Sequence, residues 1–285
     1  MARKTTYSIR LMKKKGKKIV MLTAYDAPTA AILSEMGVDM ILVGDSVGNS
    51  LLGYESTIPV TLDDVIHHSA AVSRARPDCF VVGDMPFMSY KVSAEQALEN
   101  CGLMLQEGGA EAVKLEGGTD SVVDIVRTVV DAGIPVMGHI GLTPQSIYQL
   151  GGYRIQGRTA DLAEVLVQQA IKLEEAGAFS LVIELVPSET AKMITETVGI
   201  PTIGIGAGPY CDGQVLVLWD MLGLFEDFKP KFVKKFANVR ELIKNAVAEY
   251  AKEVREGSFP DEEHSFEMDE EETGRLYGRT KPKED

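Results

Sequence analysis

With 285 residues, 45% hydrophobic and 25% charged, the chain can bury a large core, and its composition excludes an extended disordered protein. The formal net charge of -13 is concentrated, because residues 261–272 hold eight carboxylates and no Lys or Arg, so the body is only mildly acidic. Cys79, Cys101 and Cys211 are odd in number and far apart, which fits neither a disulfide framework nor a thiolate zinc site and reads as three reduced thiols.

The first residues are positively charged but lack the apolar stretch of a signal peptide, and no later apolar run reaches membrane-spanning length, so a cytoplasmic protein is expected. Lys13, Lys14, Lys15, Lys17 and Lys18 form a basic cluster just ahead of a strand. Without interleaved aromatics it reads as a solvated turn and gives no reason to expect a nucleic-acid partner. Short Val- and Ile-rich runs then recur: IVMLTA from Ile19, MILVGD from Met40, FVVGD from Phe80, AVKLE from Ala112, VMGHI from Val136, SLVIEL from Ser180, PTIGIG from Pro201 and VLVLWD from Val215. They are strand candidates buried on both faces.

Between them lie segments of helical periodicity, such as Leu162, Val165, Leu166, Ile171 and Leu173, whose apolar flank would cover the sheet. Gly37, Gly109, Gly133, Gly177 and Gly199 each precede a strand, where glycine accepts the left-handed geometry that ends a helix. Strand, helix, glycine, strand, repeated about eight times, is the pattern of parallel β/α architecture. A count near eight favours closure into a single-domain (β/α)8 TIM barrel over an open doubly wound sheet, since no early strand is followed by a dinucleotide fingerprint of glycines. The barrel with its terminal helices is expected to span 1–256, and 257–285 to be an acidic, mobile tail.

Polar residues gather at the carboxyl ends of the apolar runs, the face on which such barrels build active sites. Asp45 closes the second run, Asp84 the third and Glu116 the fourth; His139 sits in the fifth and Glu184 lies near the end of the sixth. Lys114 and Glu116 are two apart and so share a strand face. Buried carboxylates are costly unless paired or bound to metal. At an effective dielectric near 20, two of them about 4 Å apart repel by roughly 4 kcal/mol. A hard divalent cation answers this for the set, and an all-oxygen ligand group suits Mg²⁺, with Asp45, Asp84 and Glu116 as direct or water-mediated ligands. Taken singly, each could instead pair with a Lys or Arg or cap the following helix.

Glu184 lies among apolar Ile183, Leu185 and Val186, a setting suited to proton abstraction, although a salt bridge would also account for it. His67 and His68 read as surface or packing residues of a helix capped by Thr61. The GIGAG stretch (204–208) fits a phosphate-binding turn or mere tight packing equally well.

VGDS (43–46), STIPVTLDD (56–64), DMPFMSY (84–90), KLEGG (114–118), GHIGLTPQS (138–146), GGYRIQGR (151–158), GIGAG and EEHSF (262–266) follow one another in order. Together they resemble the ketopantoate hydroxymethyltransferase family from about the first strand to Phe266. The resemblance implies a barrel of the phosphoenolpyruvate and pyruvate superfamily. Such an enzyme moves a one-carbon unit from methylene-tetrahydrofolate to 3-methyl-2-oxobutanoate, giving ketopantoate for pantothenate and coenzyme A synthesis. It places Mg²⁺ ligands at Asp45, Asp84 and Glu116, substrate contacts at Asp45, Ser46, Asp84 and Lys114, and the catalytic base at Glu184. It also implies a homo-oligomer, commonly a decamer, and it offers no role for the extension after Phe266. The rivals are a carbon–carbon lyase or mutase of the same superfamily, which needs no folate, and a silent scaffold, which has no need to concentrate charge at one barrel mouth.

Overall fold

The computed structural model describes residues 3–75, 77–225 and 230–279. The chain divides into two compact units, Met1–Phe236 and Ala237–Asp285, so the division falls ahead of the expected Glu256 boundary. In the first unit the apolar runs form β1 (Ile19–Thr23), β2 (Met40–Val43), β3 (Phe80–Asp84), β4 (Ala112–Glu116), β5 (Val136–Gly141), β6 (Ser180–Glu184), β7 (Thr202–Ile205) and β8 (Gly213–Leu216). All pair in parallel and in sequence order, and β8 returns to β1 to close an eight-stranded barrel.

Alternation along each strand sorts side chains into two layers. One points into the barrel, where Met21, Met40, Phe80, Val82, Met137 and Ile203 pack together. The other meets the surrounding helices through residues such as Val81, Leu115 and Leu181. Burial on both faces holds for β2, β3 and β4, whereas β1 leaves Val20 and β8 leaves Gln214 exposed.

The helix Ala160–Glu175 buries Ala163, Leu166, Val167, Ala170 and Leu173, whereas Leu162 and Val165 face outward. The true stripe follows the three- and four-residue spacing, from which those two are rotated away. Each fully buried leucine there contributes about 1.5–3 kcal/mol, and Leu173→Ala would cost about 2–5 kcal/mol. Gly37, Gly109, Gly133 and Gly177 are left-handed as expected. Gly199 is not: its N–H instead donates to Glu174 Oε1 at 2.9 Å. The alternation also lapses between β7 and β8, whose 206–212 link is too short for a crossover helix.

At the amino end of the strands, the helix Thr6–Lys14 inserts fully buried Ile9 into the barrel-interior cluster. The basic cluster beside it is not simply a solvated turn. Lys13 Nζ donates to the carbonyls of Thr195, Val198 and Ile200 at 2.9, 2.9 and 3.0 Å and pairs with Asp212 at 3.0 Å. Lys18 Nζ donates to the Cys211 carbonyl at 2.6 Å. Carbonyls left over where the helix Ser188–Thr197 ends thus find cationic donors.

In the second unit, the helix Val239–Glu256 stops at left-handed Gly257, and the acidic segment forms a turn at Glu262–His264 and a helix at Glu270–Arg279. The expected tail therefore carries defined secondary structure, with its last six positions, 280–285, outside the described residues. Cys79, Cys101 and Cys211 are free and buried. Among the described residues no helix is long and apolar enough to cross a membrane.

Candidate active site

Parallel register decides which polar side chains meet. Lys114 lies opposite Asp84, Glu116 opposite His139, and Gly141 opposite Glu184. Moving toward the carboxyl end, the barrel interior changes from apolar Ala112 and Val82 to Lys114, Asp84, Glu116 and His139. All four polar residues are buried. Asp45, just beyond β2, is buried beside them, and its N–H donates to Asp84 Oδ2 at 3.1 Å. Ser46 is half-buried, with Oγ 2.8 Å from the Tyr25 hydroxyl.

Lys114 sits at the centre. Its Nζ is 2.9 Å from Asp84 Oδ1, 3.6 Å from Glu116 Oε1 and 3.2 Å from His139 Nδ1. The Asp84 contact is a buried ion pair. His139 bridges two acids, with Nδ1 3.4 Å from Glu116 Oε1 and Nε2 3.2 Å from Glu184 Oε2. The ion-pair contact seen for Glu184 among the described residues is thus to an imidazole. The Glu184 side chain is 17% exposed and so remains reachable from the barrel mouth.

The charges are unevenly settled. Burial raises Asp45 well above the ordinary carboxylate range, and repulsion from Asp84 and Glu116 adds to it. Burial likewise raises Asp84 against the pull of Lys114. Burial would raise Glu116 too, but Lys114 and His139 outweigh it and hold that acid at about 2. Burial and Lys114 push His139 down, yet Glu116 and Glu184 prevail and lift it to about 9. Burial also works against the Lys114 ammonium, but the three acids dominate and raise it above the usual lysine value. The result is a cationic Lys114–His139 pair facing more carboxylates than it neutralises.

Those features bear on the expected cation. Among the described residues no group of three or more His, Cys, Asp or Glu side chains is spaced to hold a metal ion, and the Lys114 ammonium lies within ion-pair reach of both Asp84 and Glu116. The residues still suit Mg²⁺, which binds through one or two carboxylates and keeps several waters. Burial pushes Asp45 and Asp84 toward the uncharged form even with the Lys114 ammonium 2.9 Å from Asp84 Oδ1, a cost that a cation would offset.

Backbone geometry holds Glu184 in place. Leu185 adopts φ 46, a left-handed conformation that costs a branched residue about 1–3 kcal/mol. Its N–H donates to the Ile205 carbonyl and its own carbonyl accepts from the Gln156 N–H, both at 2.9 Å. Leu142 N–H donates to the Glu184 carbonyl at 2.8 Å. The GGYRIQGR and GHIGLTPQS motifs thus support the strand end that presents the acid.

Gln145 and Tyr90 belong to the same constellation, and sequence reasoning assigned neither to it. The short 3-10 turn Pro144–Ser146 drops the buried Gln145 side chain among the acids. Its Nε2 donates to Asp45 Oδ2 at 3.0 Å and to the Met85 carbonyl at 2.8 Å, while its main-chain N–H donates to Glu116 Oε2 at 3.1 Å. Tyr90 is buried and accepts the Glu116 N–H at 2.9 Å. Their signal was a place in motifs that overhang strand ends. His68 lies outside the constellation, its Nδ1 2.7 Å from the Tyr25 carbonyl.

A closed parallel barrel with a buried acid–lysine–imidazole cluster at its carboxyl mouth defines an enzyme of the (β/α)8 class. The comparisons narrow that class. A family model described as ketopantoate hydroxymethyltransferase matches residues 3–262. The chain is 56% identical over 268 residues to a 3-methyl-2-oxobutanoate hydroxymethyltransferase of Thermoanaerobacter sp. (strain X514), covering 94% of this chain and 97% of the relative. It is 55% identical over 277 residues to the protein of that name from Syntrophomonas wolfei subsp. wolfei, covering 97% and 100%. The chain belongs to the ketopantoate hydroxymethyltransferase family. Solved structures share the fold at low identity. A phosphonopyruvate hydrolase superposes with TM-score 0.60 at 11% identity, covering 98% of this chain and 96% of the other. A 2,3-dimethylmalate lyase of the PEP mutase/isocitrate lyase superfamily superposes with TM-score 0.57 at 17% identity, covering 97% and 99%.

Proposed function

We propose that this chain transfers a hydroxymethyl group from methylene-tetrahydrofolate to 3-methyl-2-oxobutanoate, forming 2-dehydropantoate for pantothenate and coenzyme A synthesis. The observation that carries the reading is Glu184, reachable from the barrel mouth and joined through His139 to the buried Lys114–Asp84–Glu116 cluster. Family membership over nearly the whole chain supports the choice of reaction.

In this proposal Asp45, Asp84 and Glu116 would hold Mg²⁺ directly or through water, Glu116 being already engaged by Lys114 and His139. When bound, the cation supplies Lewis-acid polarisation of the keto acid. Ser46 and Lys114 orient the substrate's carboxylate and ketone oxygens. Glu184 removes the proton from the carbon next to the ketone, a role worth about 10²- to 10⁴-fold in rate. Lys114 steadies the negative charge that develops. Water opens the methylene bridge of the folate, breaking its two C–N bonds to release tetrahydrofolate and a one-carbon aldehyde. The carbon nucleophile adds to that aldehyde, forming the C–C bond, and the proton taken up by Glu184 passes to its oxygen as the product hydroxyl.

His139, with Nε2 3.2 Å from Glu184 Oε2, keeps the base oriented. We further propose that the protein works in the cytoplasm as a homodecamer, as the family resemblance implies; analytical ultracentrifugation measures the assembly.

The test is turnover. Purified protein with Mg²⁺ and 3-methyl-2-oxobutanoate should form 2-dehydropantoate, followed by mass spectrometry, only when methylene-tetrahydrofolate is present. Folate-independent conversion of the keto acid would assign a lyase or mutase instead. No turnover with any metal would leave a binding protein.

A further inference from the structure

The mechanism above employs the acids but neither the Gln145 amide nor the Tyr90 phenol. Resting on the cation role proposed for Asp45, we infer that Gln145, locked by Tyr90, is a positioning residue that sets which oxygen of Asp45 faces a ligand.

The hydrogen-bond pattern leaves the amide one orientation. A main-chain carbonyl can only accept, so the Met85 carbonyl 2.8 Å away must face the Nε2 end. The second Nε2 hydrogen is then directed to Asp45 Oδ2 at 3.0 Å. Flipping the amide would set its oxygen against the Met85 carbonyl and leave buried groups unsatisfied. At the other end, Oε1 lies 3.1 Å from the Tyr90 hydroxyl, which shares its single proton with the Glu116 carbonyl at 3.0 Å. Because that hydroxyl already accepts the Glu116 N–H, its lone proton can only point toward these two oxygens.

Asp45 Oδ2 is therefore committed to the protein, which leaves Oδ1 to take up a ligand. The same residue holds a second acid, since the Gln145 main-chain N–H donates to Glu116 Oε2. One position on the loop after β5 thus sets acids delivered by β2 and β4, and Tyr90, arriving from the loop after β3, fixes that position. Without Gln145, Asp45 Oδ2 would lose the hydrogen bond that fixes its direction.

Mn²⁺ serves as the probe because its binding can be read by electron paramagnetic resonance without turnover. Gln145→Met keeps length and apolar volume while removing both donors; it should raise the Mn²⁺ dissociation constant roughly tenfold, the loss of one charge-assisted hydrogen bond. Tyr90→Phe, which removes a single hydroxyl, should raise it about threefold. Melting midpoints measured in chelator separate positioning from packing, since a merely structural residue would lower the midpoint and leave Mn²⁺ affinity unchanged. Both variants binding Mn²⁺ within about twofold of wild type would overturn this inference alone. A wild-type protein that takes up no Mn²⁺ would overturn it together with the cation reading.

Discussion

Lys114→Met tests the electrostatic core of the site. The ammonium lies 2.9 Å from Asp84 and 3.6 Å from Glu116, with its side chain only 4% exposed. At an effective dielectric near 20 those separations correspond to about 6 and about 5 kcal/mol of attraction. Much of that offsets the cost of burying the ammonium, so removing it while the acids stay should destabilise the fold by about 3–5 kcal/mol. In a protein of this size the melting midpoint should fall by roughly 10 °C. The folded pKa of Lys114 is raised above its ordinary value, so its contribution is complete below that value and fades only as pH rises through the folded one. Near neutral pH the full deficit should therefore appear. In the variant Lys114 no longer opposes the upward push on Asp84, which leaves the Asp45 N–H as the opposing contact, and a carboxylate with a raised folded pKa gains stability for the fold as it takes up a proton. Lowering the pH from about 8 to about 5 should narrow the gap to wild type, and added Mg²⁺ should narrow it at pH 8. Differential scanning calorimetry at both pH values, with and without Mg²⁺, measures each effect. A variant melting within about 2 °C of wild type in chelator at pH 8 would refute the reasoning.

Two further outcomes follow from the neighbouring geometry. Glu184→Gln should cut exchange of the substrate's C3 proton in deuterated water by at least about 10²-fold while Mg²⁺-dependent keto-acid binding persists; unchanged exchange removes Glu184 as the base. Gly141→Ala should destabilise by about 2 kcal/mol or more and lower kcat, because Gly141 has φ 92 and an added Cβ would lie 2.2 Å from the Glu184 carbonyl oxygen. Urea denaturation with steady-state kinetics checks both, and a fully stable, fully active variant would show that the strand ends yield more readily than their contacts imply.

The barrel was legible because Val- and Ile-rich runs spaced by helical segments leave few other ways to bury both faces of a strand. The same logic led to Asp45, Asp84, Lys114 and Glu116, each an ionisable residue where an apolar run stops. Gln145 and Tyr90 escaped because neither is charged and both lie on loops, where nothing in the local pattern says which way a side chain turns. Lys114 was visible, but not that its ammonium would stand between two of the acids, since pairwise distances depend on strand register across the barrel. Lys13 escaped for a related reason: its carbonyl partners lie far along the chain, and no one-dimensional pattern brings them to it.

The Lys13 clasp draws together carbonyls that precede β7, on the rim opposite Glu184. The Lys13 contacts and the acids of the mouth thus occupy opposite rims of one cylinder. Residues of the Thr6–Lys14 helix and its neighbours can therefore be reworked for stability without replacing any side chain of the mouth, and the mouth loops can be varied without replacing any partner of that clasp.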